Sequence, residues 1–252
     1  MRAGLEVLGN PANLNAVVQV ENMNVRWIFR WIFLIGVMAL TGCVSVVQSP
    51  VPGQTAATTQ PDRPKLRRFA QVVARVEPVA ERECRDRARG LNCDFNIALD
   101  DRPGQPPNAF QTLDRDGRPI LALNLALIAS VRNADELAFV MGHEAAHHIS
   151  GHLARQQQNA TAGAILLGGL ASLTGADSAA VQNATELGAA VGARTYSKEF
   201  ELEADALGTV ITRRAGYDPV LGAQFFTRIP DPGDQFLGTH PPNARRMEIV
   251  RQ

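Results

Sequence analysis

A five-residue motif, His143-Glu144-Ala145-Ala146-His147, constrains this chain more than any other feature, because its spacing is meaningful only on a helix. Residues four apart in an α-helix lie one above the other on one face, so the two histidines are spaced to bind a single zinc ion. Glu144 lies beside that face, within reach of a water on the metal. The motif alone also arises by chance, so its weight depends on its surroundings.

The sequence around the motif predicts a well-capped helix. Asn133 is suited to the N-cap, and Glu136 three residues later completes a pattern like a capping box. Leu137 and Val140 follow with helical spacing and can bury one side of the helix. We expect this helix to continue to about His152.

A pair of acidic residues farther along the chain offers the third metal ligand. A catalytic zinc site has three protein ligands and one open position. Glu201 and Asp205 are again four residues apart, on a long helix predicted from about Ala179 to Arg214 that ends at Gly216. With Glu201 on the metal, Asp205 would accept the outer N–H of a ligand histidine and fix its tautomer.

The other acidic and histidine side chains near these motifs are not predicted to bind the metal. Glu199 and Glu203 point away from the face that carries Glu201, and we predict that they are solvated charges. His148 and His152 lie off the ligand face or beyond its turn. We interpret both as surface or structural histidines.

The composition excludes several classes of protein. The 252 residues are 45% hydrophobic, and Lys+Arg and Asp+Glu both number 25, so no net charge attracts the chain to nucleic acid. We therefore expect no nucleic-acid partner. Three cysteines are too few for a zinc scaffold built from cysteines.

The remainder of the domain is predicted to have an α+β fold that is mostly helical with a small β-sheet. Three alternating runs, 94–99, 108–113 and 119–123, are separated by clusters of Asp, Pro and Gly and predict three strands. Helical spacing over 66–77 predicts a helix that Pro78 interrupts.

The stretch from Gln156 to Ala176 contains no charged residue and is rich in Gly and Ala. Its length is compatible with a membrane-spanning helix. Because it has few large apolar side chains, a packed helical hairpin is the favoured interpretation. Both readings stay open on the sequence.

The first 42 residues have the pattern of a secretory signal peptide. From Met23, two arginines precede an apolar run from Trp31 to Leu40, which is too short to span a bilayer comfortably. Residues 1–22 carry no such pattern and precede this second methionine, which indicates an over-extended start. We exclude residues 1–42 from the folded domain.

The signal ends in Leu40-Thr41-Gly42-Cys43, which resembles the bacterial lipobox. The resemblance implies a diacylglycerol on Cys43 and cleavage before it. Residues 43–65 would then form the lipid-bearing cysteine and a flexible tether rich in Pro, Gln, Thr and Ser. Val44 implies, by the same resemblance, anchoring to the outer membrane facing the periplasm rather than to the inner membrane.

Two cysteines remain for the folded domain. Cys84 and Cys93 form an even pair, and pairing is the usual fate of thiols in an oxidising compartment. We expect a disulfide between them that closes a short loop. The alternative is a pair of buried free thiols.

Several segments together resemble a known family of peptidases. The helix with HExxH and the later helix with ExxxD are accompanied by Pro107-Asn108-Ala109-Phe110, Asp135-Glu136-Leu137-Ala138 and Thr239-His240-Pro241-Pro242. This combination is similar to the HtpX-like and CAAX-prenyl-protease-type zinc metallopeptidases, in particular to their periplasmic lipoprotein branch (LoiP- and BepA-like). The resemblance implies a gluzincin-type metallopeptidase domain over residues 66–252.

The resemblance also implies roles for individual residues. It implies one zinc ion per chain, Glu144 as the catalytic base and Asp205 outside the ligand shell. His240 matches a histidine that in BepA-type members approaches the zinc and holds the enzyme shut, and Arg246 matches a basic position of the same pattern. Either side chain could donate to the developing oxyanion. The implied zinc ligands are His143, His147 and Glu201.

The expected activity is that of a zinc endopeptidase, a hydrolase in which Glu144 assists the attack of zinc-bound water on a peptide bond. The resemblance implies a role in protein quality control, with misfolded or unassembled envelope proteins as substrates. A substrate would add as a strand along the edge of the small sheet. Two alternatives stay open: a periplasmic chaperone or assembly lipoprotein whose zinc is structural or self-inhibited, and an integral membrane protease that spans with residues 156–176.

Overall fold

A computed structural model describes residues 62–231 and 240–252 of the chain. The signal peptide (1–42), the lipidation of Cys43 and nearly all of the tether fall outside these described residues. The helices are α1 (Arg63–Arg87), α2 (Leu125–Ser130), α3 (Ala134–Ile149), α4 (His152–Leu173), α5 (Ser178–Arg194), α6 (Ser197–Arg214), α7 (Pro219–Ala223) and α8 (Asn243–Arg251). The strands are β1 (Asn96–Asp100), β2 (Ala109–Leu113) and β3 (Pro119–Asn124), and a 3-10 turn covers Gln224–Arg228.

The three strands form one small sheet in the order β1-β3-β2, as the alternating runs predict. β1 pairs with β3 in parallel, and β2 pairs with β3 antiparallel, so Ala122 of β3 has Ala98 on one side and Phe110 on the other. Leu121 and Leu123 of β3 are completely buried. β2 is therefore an edge strand, and its outer side has no strand partner within the described residues.

The first helix is longer than the sequence predicts. α1 begins at Arg63, three residues inside the predicted tether, where Asp62 caps its N-terminus. It also continues through Pro78 instead of ending there. The proline removes one backbone hydrogen bond, but buried side chains before and after it, among them Val76 and Val79, keep the helix packed on the core. The prediction of an interruption at Pro78 is therefore wrong.

The disulfide links α1 to the segment that leads into β1. The sulfurs of Cys84 and Cys93 are bonded, with their Cα atoms 5.7 Å apart. Both side chains belong to the main hydrophobic core. The link holds the end of α1 close to the sheet.

The helix with the HExxH motif begins as predicted and ends earlier. The Asn133 side chain accepts a hydrogen bond from the backbone N–H of Glu136, which confirms the N-cap. The Glu136 carboxylate accepts the N–H of Arg132 and pairs with Arg228 instead of closing a capping box. The helix ends at Ile149 because Gly151 takes a left-handed conformation, with φ of 64°, and starts a new helix.

The charge-free stretch forms the first half of a helical hairpin, α4 packed on α5. The two backbones approach closely, because a Cβ built on Gly188 would lie 2.1 Å from the carbonyl oxygen of Gly163. Within the described parts of the chain, no helix combines the length and the apolarity that crossing a bilayer requires. The structure thus gives the hairpin that the sequence favours.

The long helix predicted over 179–214 is two helices. α5 ends at Arg194 and α6 begins at Ser197, because Thr195 is extended and Tyr196 adopts a left-handed φ of 65°. The break separates a helix of the hairpin from a helix that packs on α3. The predicted end at Gly216 is confirmed, with φ of 84°.

Candidate metal centre

Two helices that are distant in sequence cross at a pair of glycines. A Cβ built on Gly142 of α3 would lie 3.0 Å from the carbonyl oxygen of Gly208, and one built on Gly208 would lie 3.0 Å from the Cα of His143. A side chain at either position would push the two backbones apart by a few tenths of an ångström. The crossing holds α6 against the helix face that carries the two motif histidines.

The crossing brings His143, His147 and Glu201 together. The Nε2 atoms of the two histidines are 3.0 Å apart. One Glu201 oxygen lies 3.5 Å from Nε2 of His143, and the other lies 3.3 Å from Nε2 of His147. A tetrahedral zinc ion with ligands at about 2.0–2.1 Å separates any two of them by about 3.4 Å. The donor types and their spacing both fit a zinc site.

The outer nitrogen of His143 faces a buried carboxylate. Its Nδ1 is 3.0 Å from Oδ1 of Asp205, which has no exposed surface. Arg246 donates to both oxygens of Asp205, from Nε and from Nη2, each at 2.7 Å. Its guanidinium also covers the Phe226 ring at 3.5 Å. Asp205 therefore has the position that the sequence predicts, with Arg246 holding it.

The outer nitrogen of His147 has a different partner, which sequence reasoning missed. His152 Nδ1 lies 2.8 Å from Nδ1 of His147, and His152 Nε2 lies 3.1 Å from a Glu203 oxygen. His152 is buried, and Glu203 is half-exposed and also accepts from Arg155. His152 is thus structural, which is one of the two readings that the sequence allows, and Glu203 is a partly solvated charge that is also paired with His152 and Arg155. Their sequence signal is weak, because α4 changes direction after Gly151 and helical spacing no longer applies.

The remaining residues of this neighbourhood lie apart from the centre. His148 is buried, approaches the carbonyl oxygen of Asn92 at 2.8 Å and packs edge-on against Phe95. It is structural, as one of the two sequence readings has it. Glu199 is exposed on α6.

The histidines and the carboxylates of this centre shift each other's pKa values. Burial alone would lower the pKa of His143, but hydrogen bonds and charges from Asp205 and Glu201 raise it to about 10. Burial alone would raise the pKa of Glu201, yet His143, His147 and other donors hold it well below its usual range. Burial is the main cause that lowers the pKa of His152, to about 4, so this ring is neutral at pH 7.

Glu144 lines a cleft beside the three candidate ligands. The cleft is a cavity of about 430 Å³. Burial raises the pKa of the Glu144 carboxyl, while the two motif histidines act in the opposite direction. The walls of the cleft include the first three residues of β2 (109–111) and the preceding Pro107 and Asn108. Glu144 and the first half of β2 therefore line the same cleft.

The two C-terminal candidates differ in their surroundings. His240 is half-exposed, and its Nδ1 lies 3.2 Å from a Glu201 oxygen. Arg246 is buried, and the two nitrogens that it directs at Asp205 are occupied. Both residues line the cleft, but only Arg246 is buried and paired with Asp205.

Comparison with known proteins places the chain in a family. Residues 67–252 match the model of peptidase family M48. Relatives named beta-barrel assembly-enhancing protease occur in Vibrio cholerae, 36% identical over 121 residues, and in Escherichia coli K12, 32% identical over 153 residues. The mitochondrial metalloendopeptidase OMA1 of Saccharomyces cerevisiae is 28% identical over 169 residues.

These alignments cover parts of longer proteins. They include 44% of this chain and 24% of the Vibrio protein, 52% and 30% for the Escherichia protein, and 63% and 46% for the yeast protein. The chain therefore spans about a quarter to a third of the length of the bacterial relatives. The family match, in contrast, runs from the first turns of α1, at residue 67, to residue 252. By this match, and in agreement with the resemblance seen in its motifs, the chain belongs to peptidase family M48.

Proposed function

We propose that the protein is a zinc-dependent endopeptidase whose metal ligands are His143, His147 and Glu201. The observation that carries the proposal is the mutual spacing of their three donor atoms, 3.0 to 3.5 Å, on two separate helices. Membership of a peptidase family supports the same activity. One ion per chain fits the three ligands and leaves one position for water or substrate.

The chain itself provides a proton acceptor beside the ligands. A bound zinc ion supplies Lewis acidity, which lowers the pKa of a water and polarises the substrate carbonyl. Glu144 accepts the proton of the attacking water and returns it to the leaving amine. The raised pKa of Glu144 suits a group that takes up and releases a proton within one turnover. His240, which lines the same cleft, is the proposed donor to the developing oxyanion.

The substrate backbone is proposed to pair with the edge strand β2. Residues 107–111, at the start of that strand, line the same cleft as Glu144 and the candidate ligands. A peptide added as a strand there is recognised mainly through its backbone. This mode suits a protease for unfolded chains of varied sequence.

Misfolded or unassembled envelope proteins are the proposed substrates, in the periplasm. The bacterial relatives are named for beta-barrel assembly, and the disulfide between Cys84 and Cys93 fits an oxidising compartment. A lipid on Cys43 would anchor the protein to the outer membrane. Detection of a diacylglycerol on Cys43 by mass spectrometry, lost in Cys43→Ala, tests this placement.

Replacing the proposed base separates catalysis from metal binding. Glu144→Gln is expected to keep one zinc ion and to lose at least about 100-fold in the rate of cleavage of an unfolded protein such as reduced casein. Glu199→Gln, on an exposed glutamate, is the matched control with unchanged activity. Undiminished cleavage by the Glu144 variant would falsify the proposed role.

A second candidate function is a chaperone or assembly factor whose metal centre is held shut. The contact between His240 and Glu201, 3.2 Å long, favours this reading because it places an imidazole against a proposed ligand. If His240 blocks the centre, His240→Ala should raise peptidase activity. A fall in activity would instead support its role as a donor to the oxyanion.

A further inference from the structure

A line of polar contacts leads from His147 away from the proposed metal. It runs from Nδ1 of His147 to Nδ1 of His152, at 2.8 Å, and from Nε2 of His152 to a Glu203 oxygen, at 3.1 Å. The first two groups are on α3 and at the start of α4, and the third is on α6. Arg155 donates to the same oxygen of Glu203 at 2.8 Å.

The chemistry of the imidazoles sets the direction of these hydrogen bonds. If Nε2 of His147 gives its lone pair to a metal, Nδ1 of the same ring must carry the proton and donate it. Nδ1 of His152 is then the acceptor, so the His152 proton lies on Nε2. That N–H points at the Glu203 carboxylate, which can only accept when ionised. Every donor in the line has an acceptor.

The ring of His152 is held from a third direction. It stacks on Phe200, with ring centroids 4.6 Å apart and planes 11° apart. The guanidinium of Arg155 also lies over the Phe200 ring, at 4.3 Å. Because Phe200 and Glu203 belong to α6, the helix that bears Glu201 also fixes the group behind His147.

We propose that His152 is a positioning residue for the metal centre: it accepts the Nδ1–H of His147, and thereby selects the tautomer and ring orientation with which His147 binds the metal. Glu203 and Phe200 fix His152 for this task. The two ligand histidines thus use unlike supports, a buried carboxylate for His143 and a neutral imidazole for His147. The inference rests on the proposed ligand set.

Substitutions at His152 separate its acceptor from its ring. His152→Phe keeps an aromatic ring on Phe200 but removes the acceptor. His152→Asn places its Oδ1 where the ring had Nδ1 and so restores an acceptor. Zinc alone is the probe, and its affinity is measured by competition with a chromophoric chelator. We expect His152→Phe to bind zinc about 10- to 100-fold more weakly than the wild type, and His152→Asn to recover most of that loss.

A control and a second measurement distinguish positioning from stability. His148→Phe changes a histidine that is also buried but contacts Asn92, and its zinc affinity should match the wild type. Thermal unfolding in EDTA gives the metal-free stability of each variant. With cobalt in place of zinc, only His152→Phe should alter the visible absorption of the ion.

The outcomes assign failure to one claim or the other. Wild-type affinity in His152→Phe, or equal losses in the Phe and Asn variants, would overturn the positioning role while leaving the ligand set intact. Absence of zinc binding in the wild-type protein would instead overturn the proposed function. Glu203→Ala, on a half-exposed side chain, provides a second variant that should weaken zinc binding in the same direction.

Discussion

The chemistry of individual residues in this protein depends on partners that lie behind the motif. His143 and His147 are four residues apart on one helix, yet Asp205 supports the first and His152 the second. Such partners orient ligand rings and adjust their basicity. With the proposed ligand set, α6 and the start of α4 support the centre as well as the helix that bears the motif.

The affinity of the centre for metal should rise with pH. In the metal-free protein, Asp205 and Glu201 raise the pKa of His143 to about 10, so the ring is protonated at pH 7. A metal ion must displace that proton, and below pH 10 the affinity should increase by up to about tenfold per pH unit. Zinc titrations from pH 6.5 to 8.5 measure the slope. An affinity that does not change with pH would contradict the proposed loss of a proton from His143 on metal binding.

The motif residues were predictable because helical spacing is a local property. His143, His147, Glu201 and Asp205 each follow from an interval of four residues. His152 was not predictable in this way, because the left-handed Gly151 redirects the chain just before it. Its contact with His147 depends on the direction of α4, which no interval in the sequence records.

At the scale of elements, the crossing of α3 and α6 sets the geometry of the site. Each helix contributes one glycine to the crossing, Gly142 and Gly208, and each would place a Cβ against backbone atoms of the other helix. Backbone cannot move aside as a flexible side chain can. The distance between the helices is therefore set by the absence of a methyl group.

A methyl group at this crossing should weaken the metal site. Gly208→Ala places a Cβ 3.0 Å from His143 backbone atoms, so α6 must shift by a few tenths of an ångström and carry Glu201 with it. We expect weaker zinc binding together with a loss of stability of about 1 to 3 kcal/mol. Calorimetric zinc titration and denaturant unfolding measure the two effects.

Gly169→Ala is the matched control for that variant. Gly169 is also helical, but a Cβ there has no neighbour within 4 Å. Alanine should stabilise this helix by up to about 1 kcal/mol and leave zinc affinity unchanged. Equal zinc affinity in the two variants would show that the crossing does not set the ligand geometry.

Elements were predicted better than their boundaries. The three strands, the N-cap at Asn133 and the helical hairpin are present as expected. The breaks were misjudged: α1 passes through Pro78, whereas a helix ends at Arg194 without proline or glycine. In both cases tertiary packing outweighs local propensity. The buried face of α1 continues past the proline, and the left-handed Tyr196 redirects the chain so that α6 packs on α3.

At the scale of the whole molecule, a few covalent and ionic links join α1 to the rest. Cys84 bonds to Cys93 before the sheet, and Glu83 pairs with Arg214 at the end of α6. Arg87 also pairs with Glu83, and these arginines lower the pKa of that carboxyl although its burial acts in the opposite direction. The neighbouring ends of α1 and α6 are thus held together.

Removal of the disulfide should lower the stability of the whole domain. The two cysteines are nine positions apart in sequence. A disulfide that closes a loop of this length stabilises the folded state by about 2 to 3 kcal/mol. A Cys84→Ser/Cys93→Ser double variant should lose this amount in urea unfolding, and the single variants should lose at least as much. An unchanged unfolding midpoint would contradict the structural role of the bond.

The zinc content of a Glu201→Ala variant decides whether α3 and α6 share a metal ion, because Glu201 is the proposed ligand that α6 contributes. Inductively coupled plasma mass spectrometry on the purified, chelator-washed protein should find one zinc ion per wild-type chain and per Glu199→Ala control chain, and almost none in Glu201→Ala. A full complement of zinc in Glu201→Ala, held with wild-type affinity, would contradict the account.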